Sequence, residues 1–232
     1  MTSWEYAVNF FVALFALLDP IGNVPVFAAA TAGGMAAGRR WVAAYISLFA
    51  FAFMSFFFFT GLSLLEFFGI SLPAFRIAGG VILFLMGLEM ARDDFTAMFA
   101  DAAEGAEDAG PRAYARRRFE RLIVPFAMPL LIGPGAISTV IIYASEAKAL
   151  GIKGFATGVG VIAAVSVLTM ICFWLTPIIS RLLGRIGMTI IVRVLGLILC
   201  AMAVQFVIIG VADTARGVII KQDVSAPYAA TK

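Results

Sequence analysis

An apolar run that begins near residue 6 should form one uninterrupted helix, yet its middle reads Leu18, Asp19, Pro20, Ile21, Gly22, Asn23, Val24, Pro25. Proline supplies no backbone donor and its ring clashes with the turn before it, so a helix kinks or breaks here. Backbone groups set free at membrane depth are tolerated only where protein buries them or where they line a wet cavity. A second such stretch, Met128, Pro129, Leu130, Leu131, Ile132, Gly133, Pro134 and Gly135, lies roughly half a chain later. Any fold of this chain must therefore house two interrupted helices. We expect them to face each other and form one site.

The medium follows from composition. The 232 residues are 62% hydrophobic and 13% charged, against about 45–50% and about 25% in soluble domains. The chain is therefore read as an integral membrane protein. With about 20 residues per span, it holds six spans and no sizeable soluble domain. The expected fold is all-α and polytopic, with spans near residues 6–30, 41–62, 74–91, 122–144, 155–178 and 190–211. Residues 92–121 form a polar linker, acidic first and basic later. That linker is read either as an interfacial helix or as a segment without structure, and its arginines suit anionic lipid. The tail, residues 214–232, is polar and expected to fray. The first segment lacks a basic start, and Asp19 interrupts its apolar run, so it is expected to stay as a span rather than be cleaved.

An internal repeat organises the spans. Gly69 to Gly79 and Gly187 to Gly196 share a pattern of glycine, a short hydroxyl-bearing stretch, an arginine (Arg76, Arg193) and a glycine three residues on. Pro20 and Pro134 are separated by nearly the same offset as Arg76 and Arg193. The two halves, about residues 4–91 and 122–213, each hold three spans, with the first and fourth helices discontinuous. An odd number of spans per half inverts the second half relative to the first. Interrupted helices at matching positions of inverted repeats point to a midplane transport site. Lysine and arginine collect on one side of the spans (Arg39, Arg40, Arg92, Arg112, Arg116, Arg117, Arg118, Arg121, Arg181, Arg185). The positive-inside rule makes that side cytoplasmic and both termini extracytoplasmic.

The stretches at 18–25 and 128–139, together with the Arg-x-x-Gly helix that ends in Ala203, Val204 and Gln205, resemble the MarC family of inner-membrane proteins across all six spans. The resemblance implies a solute carrier. Its SnatA branch is associated with transport of small neutral amino acids.

The residues themselves suggest how such a site would work. Asp19 is read as an N-cap with Pro20 at the first helical position, and Gly133 and Pro134 repeat the arrangement. Two half-helix N-termini would then offer amide donors to a carboxylate, and the carbonyls freed at each break would suit an ammonium group. Gly22, Gly133 and Gly135 permit close backbone approach, while Asn23, Ser138 and Thr139 add side-chain hydrogen bonds. Each residue also has a plainer role: Asp19 as a cap alone, Ser138 and Thr139 bonding back within their helix, Arg76 and Arg193 snorkelling at span ends. Gln205 is a weaker site candidate, and Cys172 and Cys200 read as small buried hydrophobes.

Other functions fit less well. The basic balance is juxtamembrane rather than a nucleic-acid surface, and no cofactor is implied. The chain has no histidine, no Gly-x-Ser-x-Gly and no aspartate pair at depth, which argues against an intramembrane enzyme. Without a Walker pattern, coupling to H+ or Na+ stays open, and Asp19 is the carboxylate best placed for protons. A non-transporting accessory protein, or an exporter of another small solute, is the competing reading.

Overall fold

The structure, a computed structural model, describes residues 2–32, 34–92 and 110–225, and every regular element among them is helical. In chain order these are α1 (Ser3–Leu18), α2 (Val24–Ala30), α3 (Ala36–Phe67), α4 (Leu72–Arg92) and α5 (Pro111–Leu122). A π-helix, π1 (Ile123–Leu131), follows, then α6 (Pro134–Ala149), α7 (Gly151–Trp174) and α8 (Thr176–Ser225). Helices α3, α4, α7 and the Thr189–Arg216 part of α8 are each long and apolar enough to cross a bilayer. At about 1.5 Å per residue, even α4, the shortest with 21 residues, reaches across a hydrocarbon core of about 30 Å. The chain is an all-helical, multi-pass membrane protein with at least four such helices.

Local chemistry sets the ends. Thr2 and Glu5 form a capping box at the start of α1. The α3–α4 turn is a Schellman motif: Gly69, at φ 67°, donates to Glu66 O, and Ile70 N donates to Leu65 O at 2.8 Å. The Ser71 hydroxyl then accepts from Ala74 N at 3.3 Å and opens α4.

Several boundaries differ from the sequence reading. Pro177, expected near the end of a span, lies in the first turn of α8 instead, where its missing N–H costs little. Gly184 interrupts α8 with φ 62°, and the helix then runs to Ser225 rather than fraying at residue 214. Of the polar linker, residues 93–109 lie outside the described residues. The remainder forms α5, which buries Tyr114, Ala115, Arg118 and Leu122 and exposes Arg112, Arg116, Arg117 and Arg121.

Helices α4 and α8 make the most extensive contact and run antiparallel. Their glycines set the approach: a Cβ on Gly87 would sit 2.7 Å from Gly196 O, and one on Gly80 2.8 Å from Ala203 O. Such small-residue seams let backbones close in where lipid gives no hydrophobic drive. Arg76 and Asp213 join the ends of this pair at 2.8 Å, so Arg76 is committed to a structural partner. Helix α3 packs along α7, with Trp174 Nε1 donating to Arg40 O at 3.2 Å. At the opposite end, the Tyr6 hydroxyl donates to Tyr143 O at 3.1 Å and ties the start of α1 to α6. One end of the bundle thus carries the chain start and the α3–α4 and α6–α7 turns. The other carries the α2–α3 connector, α5 and the α7–α8 turn.

Candidate functional site

The first break is a five-residue turn, Asp19 to Asn23, between α1 and α2. Asp19 is the C-cap of α1, in the left-handed region at φ 39°, ψ 63°. This corrects the expectation of an N-cap. Aspartate enters this region more readily than most residues because its short side chain bonds locally, and Asp19 Oδ1 accepts from Gly22 N at 3.1 Å. The helix resumes only at Val24, with Pro25 rather than Pro20 in its first turn. Asn23 bridges the gap: its Nδ2 donates to Leu18 O at 3.0 Å and Asp19 O at 3.1 Å. Two carbonyls expected to be free for an ammonium group are therefore already taken. The other end of that amide is not: Asn23 is 4% exposed, and its Oδ1 is buried without a hydrogen-bond partner.

The second break is longer than its glycine and prolines suggested. Pro125 and Pro129 lack the N–H groups that a regular helix would use, and π1 takes in both. Ile132 N closes it on Ala127 O, five residues back, at 3.0 Å. Ile132 then leaves helical geometry, Gly133 is extended at φ −77°, ψ 169°, and Pro134 opens α6. Here the expected cap geometry is present. Gly133 is the N-cap, without a side-chain hydrogen bond, and Pro134 sits in the first turn.

Ser138, one turn into α6, is 1% exposed, and its Oγ has no hydrogen-bond partner. Its plainer role, bonding back within the helix, is unfilled. The contrast with Thr31, Thr60 and Thr169 is direct, since each donates to the carbonyl four residues earlier at 2.7–2.9 Å. Thr139 is half-buried beside it.

Both breaks rest on the α4–α8 pair, α2 against α8 and α6 against α4. A Cβ on Gly22 would meet Leu195 and Asp19, one on Gly79 the Pro134 ring, and one on Gly135 the Phe206 ring. Pro20, Gly133 and Gly135 are buried, while Asp19, Gly22 and Pro134 are half-buried. Leu195 and Phe206 both project from α8, so the two breaks share that helix as a wall. Gln205 is exposed on that helix and turned away from both.

Aromatic clusters lie on either side of the breaks. Toward the chain start, Phe10 stacks on Tyr143 at 4.6 Å between ring centroids, with Phe58 beside it. Toward the α2–α3 connector, Phe27 stacks on Phe173 at 4.4 Å, and Phe126 closes on both. The sequence reading missed these residues because ordinary core phenylalanines carry the same pattern. A cavity of about 280 Å³ between α3 and α7, lined by Ser47 and Ser166 among apolar residues, involves neither break.

Comparison with known proteins gives a consistent picture. The profile of MarC family integral membrane proteins matches residues 4–215. A UPF0056 membrane protein of Aquifex aeolicus is 33% identical over 209 residues, covering 89% of this chain and 94% of its own length. One from Methanocaldococcus jannaschii is 33% identical over 208 residues, covering 89% and 96%. The UPF0056 membrane protein YhcE of Escherichia coli is 29% identical over 208 residues, covering 88% and 90%. No solved structure matches the chain.

Proposed function

This chain belongs to the MarC family of integral membrane proteins, and on that premise we propose that it is a secondary transporter of small neutral amino acids such as glycine or alanine. It works by alternating access around a site formed by the two breaks, and it belongs with the SnatA-like branch. The observation that carries this reading is the pair of buried polar atoms, Asn23 Oδ1 and Ser138 Oγ, one at each break and each without a protein partner. Buried polar groups are nearly always paired, and of the nine buried polar atoms without a partner among the described residues these two lie at the broken helices, which supports a ligand with matching groups there. The substrate ammonium is assigned to Asn23 Oδ1. Its carboxylate is assigned to the N-terminus of α6, where Gly133 allows approach and the Ser138 hydroxyl adds a donor, while Gly135 makes room for the Phe206 ring behind it. Asp19, Pro20, Gly22, Pro134 and Thr139 frame the same site. No catalytic step and no cofactor enter this scheme.

Six spans arranged as two inverted halves supply the motion. The first half is α1 with α2, then α3 and α4; the second is π1 with α6, then α7 and α8. Pairings across the halves support this division: α3 packs on α7, α4 on α8, and each half-helix after a break packs on the last helix of the other half. The Phe10–Tyr143 and Phe27–Phe173 clusters would serve as the gates that open in turn. Coupling is to H+ or Na+, with Asp19 the carrier in the proton case. The basic end of the bundle is assigned to the cytoplasm, which puts both termini outside.

The reading is tested by uptake of labelled glycine and alanine into proteoliposomes. We expect Asn23→Ala and Gly135→Leu to abolish uptake. Unimpaired transport by both would remove the site from the breaks, and no uptake by the wild-type protein would favour the accessory role.

A further inference from the structure

Away from the breaks, α5 lies across the connector between α2 and α3 and buries its own arginine there. Arg118 is 3% exposed; its Nε donates to Ala30 O, while its Nη2 is buried without a partner. One turn earlier on the same face, Tyr114 is 7% exposed, and its hydroxyl is also buried and unpartnered. The Tyr114 ring lies against Gly34 and Gly38, its hydroxyl at Gly34. The residue after Gly38 is Arg39, whose Nε is a third buried donor without a partner. The Tyr114 hydroxyl and Arg118 Nη2 thus lie against residues 30–38 with no acceptor among the described residues, and Arg39 opens the next position of α3.

A buried guanidinium left uncompensated is among the costlier arrangements a protein can hold. The one carboxylate on α5, Glu120, is paired with Arg116 at 3.3 Å. Burial, with the Arg121 charge beside it, pushes the Arg118 guanidinium below its usual pKa. The depth of the cluster identifies what approaches it. Arg112 lies over the Trp41 ring at 4.7 Å, and Trp174 bonds to Arg40 O. Tryptophans of this kind mark the headgroup level, where phosphate is the abundant anion. The exposed Arg112, Arg116, Arg117 and Arg121 draw anions to the same surface.

We propose that the junction of α5 with the α2–α3 connector is a phosphate-binding site, its oxygens taking hydrogen bonds from the Tyr114 hydroxyl and Arg118 Nη2, with the Arg39 guanidinium at its rim. Arg39 is only half-buried, and an outward swing of its flexible side chain admits the anion to the two deeper donors. The phosphate comes either from a phospholipid headgroup or from solution. Because α5 leads into π1, occupancy would brace the start of the second broken helix.

The full chain in a neutral detergent is titrated with three probes, and binding is followed by native mass spectrometry and thermal unfolding. These are dihexanoyl phosphatidylglycerol, inorganic phosphate, and dioctanoylglycerol, a lipid without phosphate. We expect phosphatidylglycerol to bind and raise Tm, and dioctanoylglycerol to do neither. Binding of inorganic phosphate as well assigns a free ion; binding of phosphatidylglycerol alone assigns a headgroup. Tyr114→Phe keeps the ring packing and removes a hydroxyl that bonds nothing in the protein. It should leave the ligand-free Tm unchanged and weaken binding on the order of ten-fold, the worth of one hydrogen bond to a charged group. Arg117→Gln, which alters an exposed arginine, should keep most of the affinity. If Arg117→Gln weakens binding as much as Tyr114→Phe does, a diffuse basic surface replaces the site and the proposal fails. It fails equally if neither phosphate probe binds, since the arginines would then be neutralised by the chain itself.

Discussion

Asn23 is the residue on which the first break depends. Its amide nitrogen holds the end of α1 to the start of α2 through Leu18 O and Asp19 O, leaving the oxygen buried and unbonded. Removing it loses two hydrogen bonds and strands the Leu18 carbonyl, while Asp19 O keeps its bond from Asn23 N, so Asn23→Ala should cost about 1–3 kcal/mol, read as a lower unfolding midpoint in detergent. Asp19 permits a finer test. Asp19→Asn keeps both the left-handed preference and the acceptor for Gly22 N, and should unfold like wild type. Asp19→Ala loses both, at about 1–2 kcal/mol. If Asp19 carries the coupling proton, Asp19→Asn should also flatten the pH dependence of uptake, whereas a pure cap would leave that profile unchanged. The disruption at residues 18–25 was legible in the sequence, but the end of the helix that Asp19 caps was not. Pro20 and Pro25 are each able to open a helix, and only the packing of Val24, Val26 and Phe27 into the core decides for the second. Ser138 was legible as a polar residue at the right place. That its hydroxyl would be left unbonded was not, because Thr31, Thr60 and Thr169 bond back within their helices while Ser47, Ser55, Ser166 and Thr176 do not, and the sequence does not separate the two groups.

Among elements, the α4–α8 seam is the wall on which both breaks rest. Backbone meets backbone there, so Gly87→Val or Gly196→Val should force the helices apart. We expect a loss of about 1–3 kcal/mol by overpacking, measured by thermal unfolding, and uptake should suffer with it. Gly196 of this seam was legible only as a position of the internal repeat, since the partner backbone it meets is fixed by the fold. The extent of π1 was less so, because Pro125 lies upstream of the Gly133–Pro134 signal. A proline pair four residues apart reads as a kink until the five-residue hydrogen bond from Ile132 is seen. The conspicuous prolines also misled about α7, which ends at Trp174 before Pro177 is reached.

At the scale of the whole molecule, the basic end and the opposite end are distinct surfaces, joined by helices that alternate in direction. Hydropathy made the long helices legible. Their pairing came instead from contacts such as Arg76–Asp213 and Tyr6–Tyr143, which join residues far apart in the chain. With Cys172 and Cys200 replaced by alanine, cysteines introduced at Lys148 and at Arg117 should react with an impermeant thiol reagent from opposite faces of the membrane, the first from outside. The central claim is that the unbonded groups at the breaks hold a small neutral amino acid, and Ser138 tests it most directly because its hydroxyl supports nothing else. The measurement is the thermal shift of wild-type and Ser138→Ala protein with saturating glycine or alanine. A ligand at about a hundred times its Kd stabilises by about 2.7 kcal/mol. Wild type should gain this, while Ser138→Ala, equally stable without ligand, should lose most of it. An equal shift in both proteins, or none in wild type, would contradict the account.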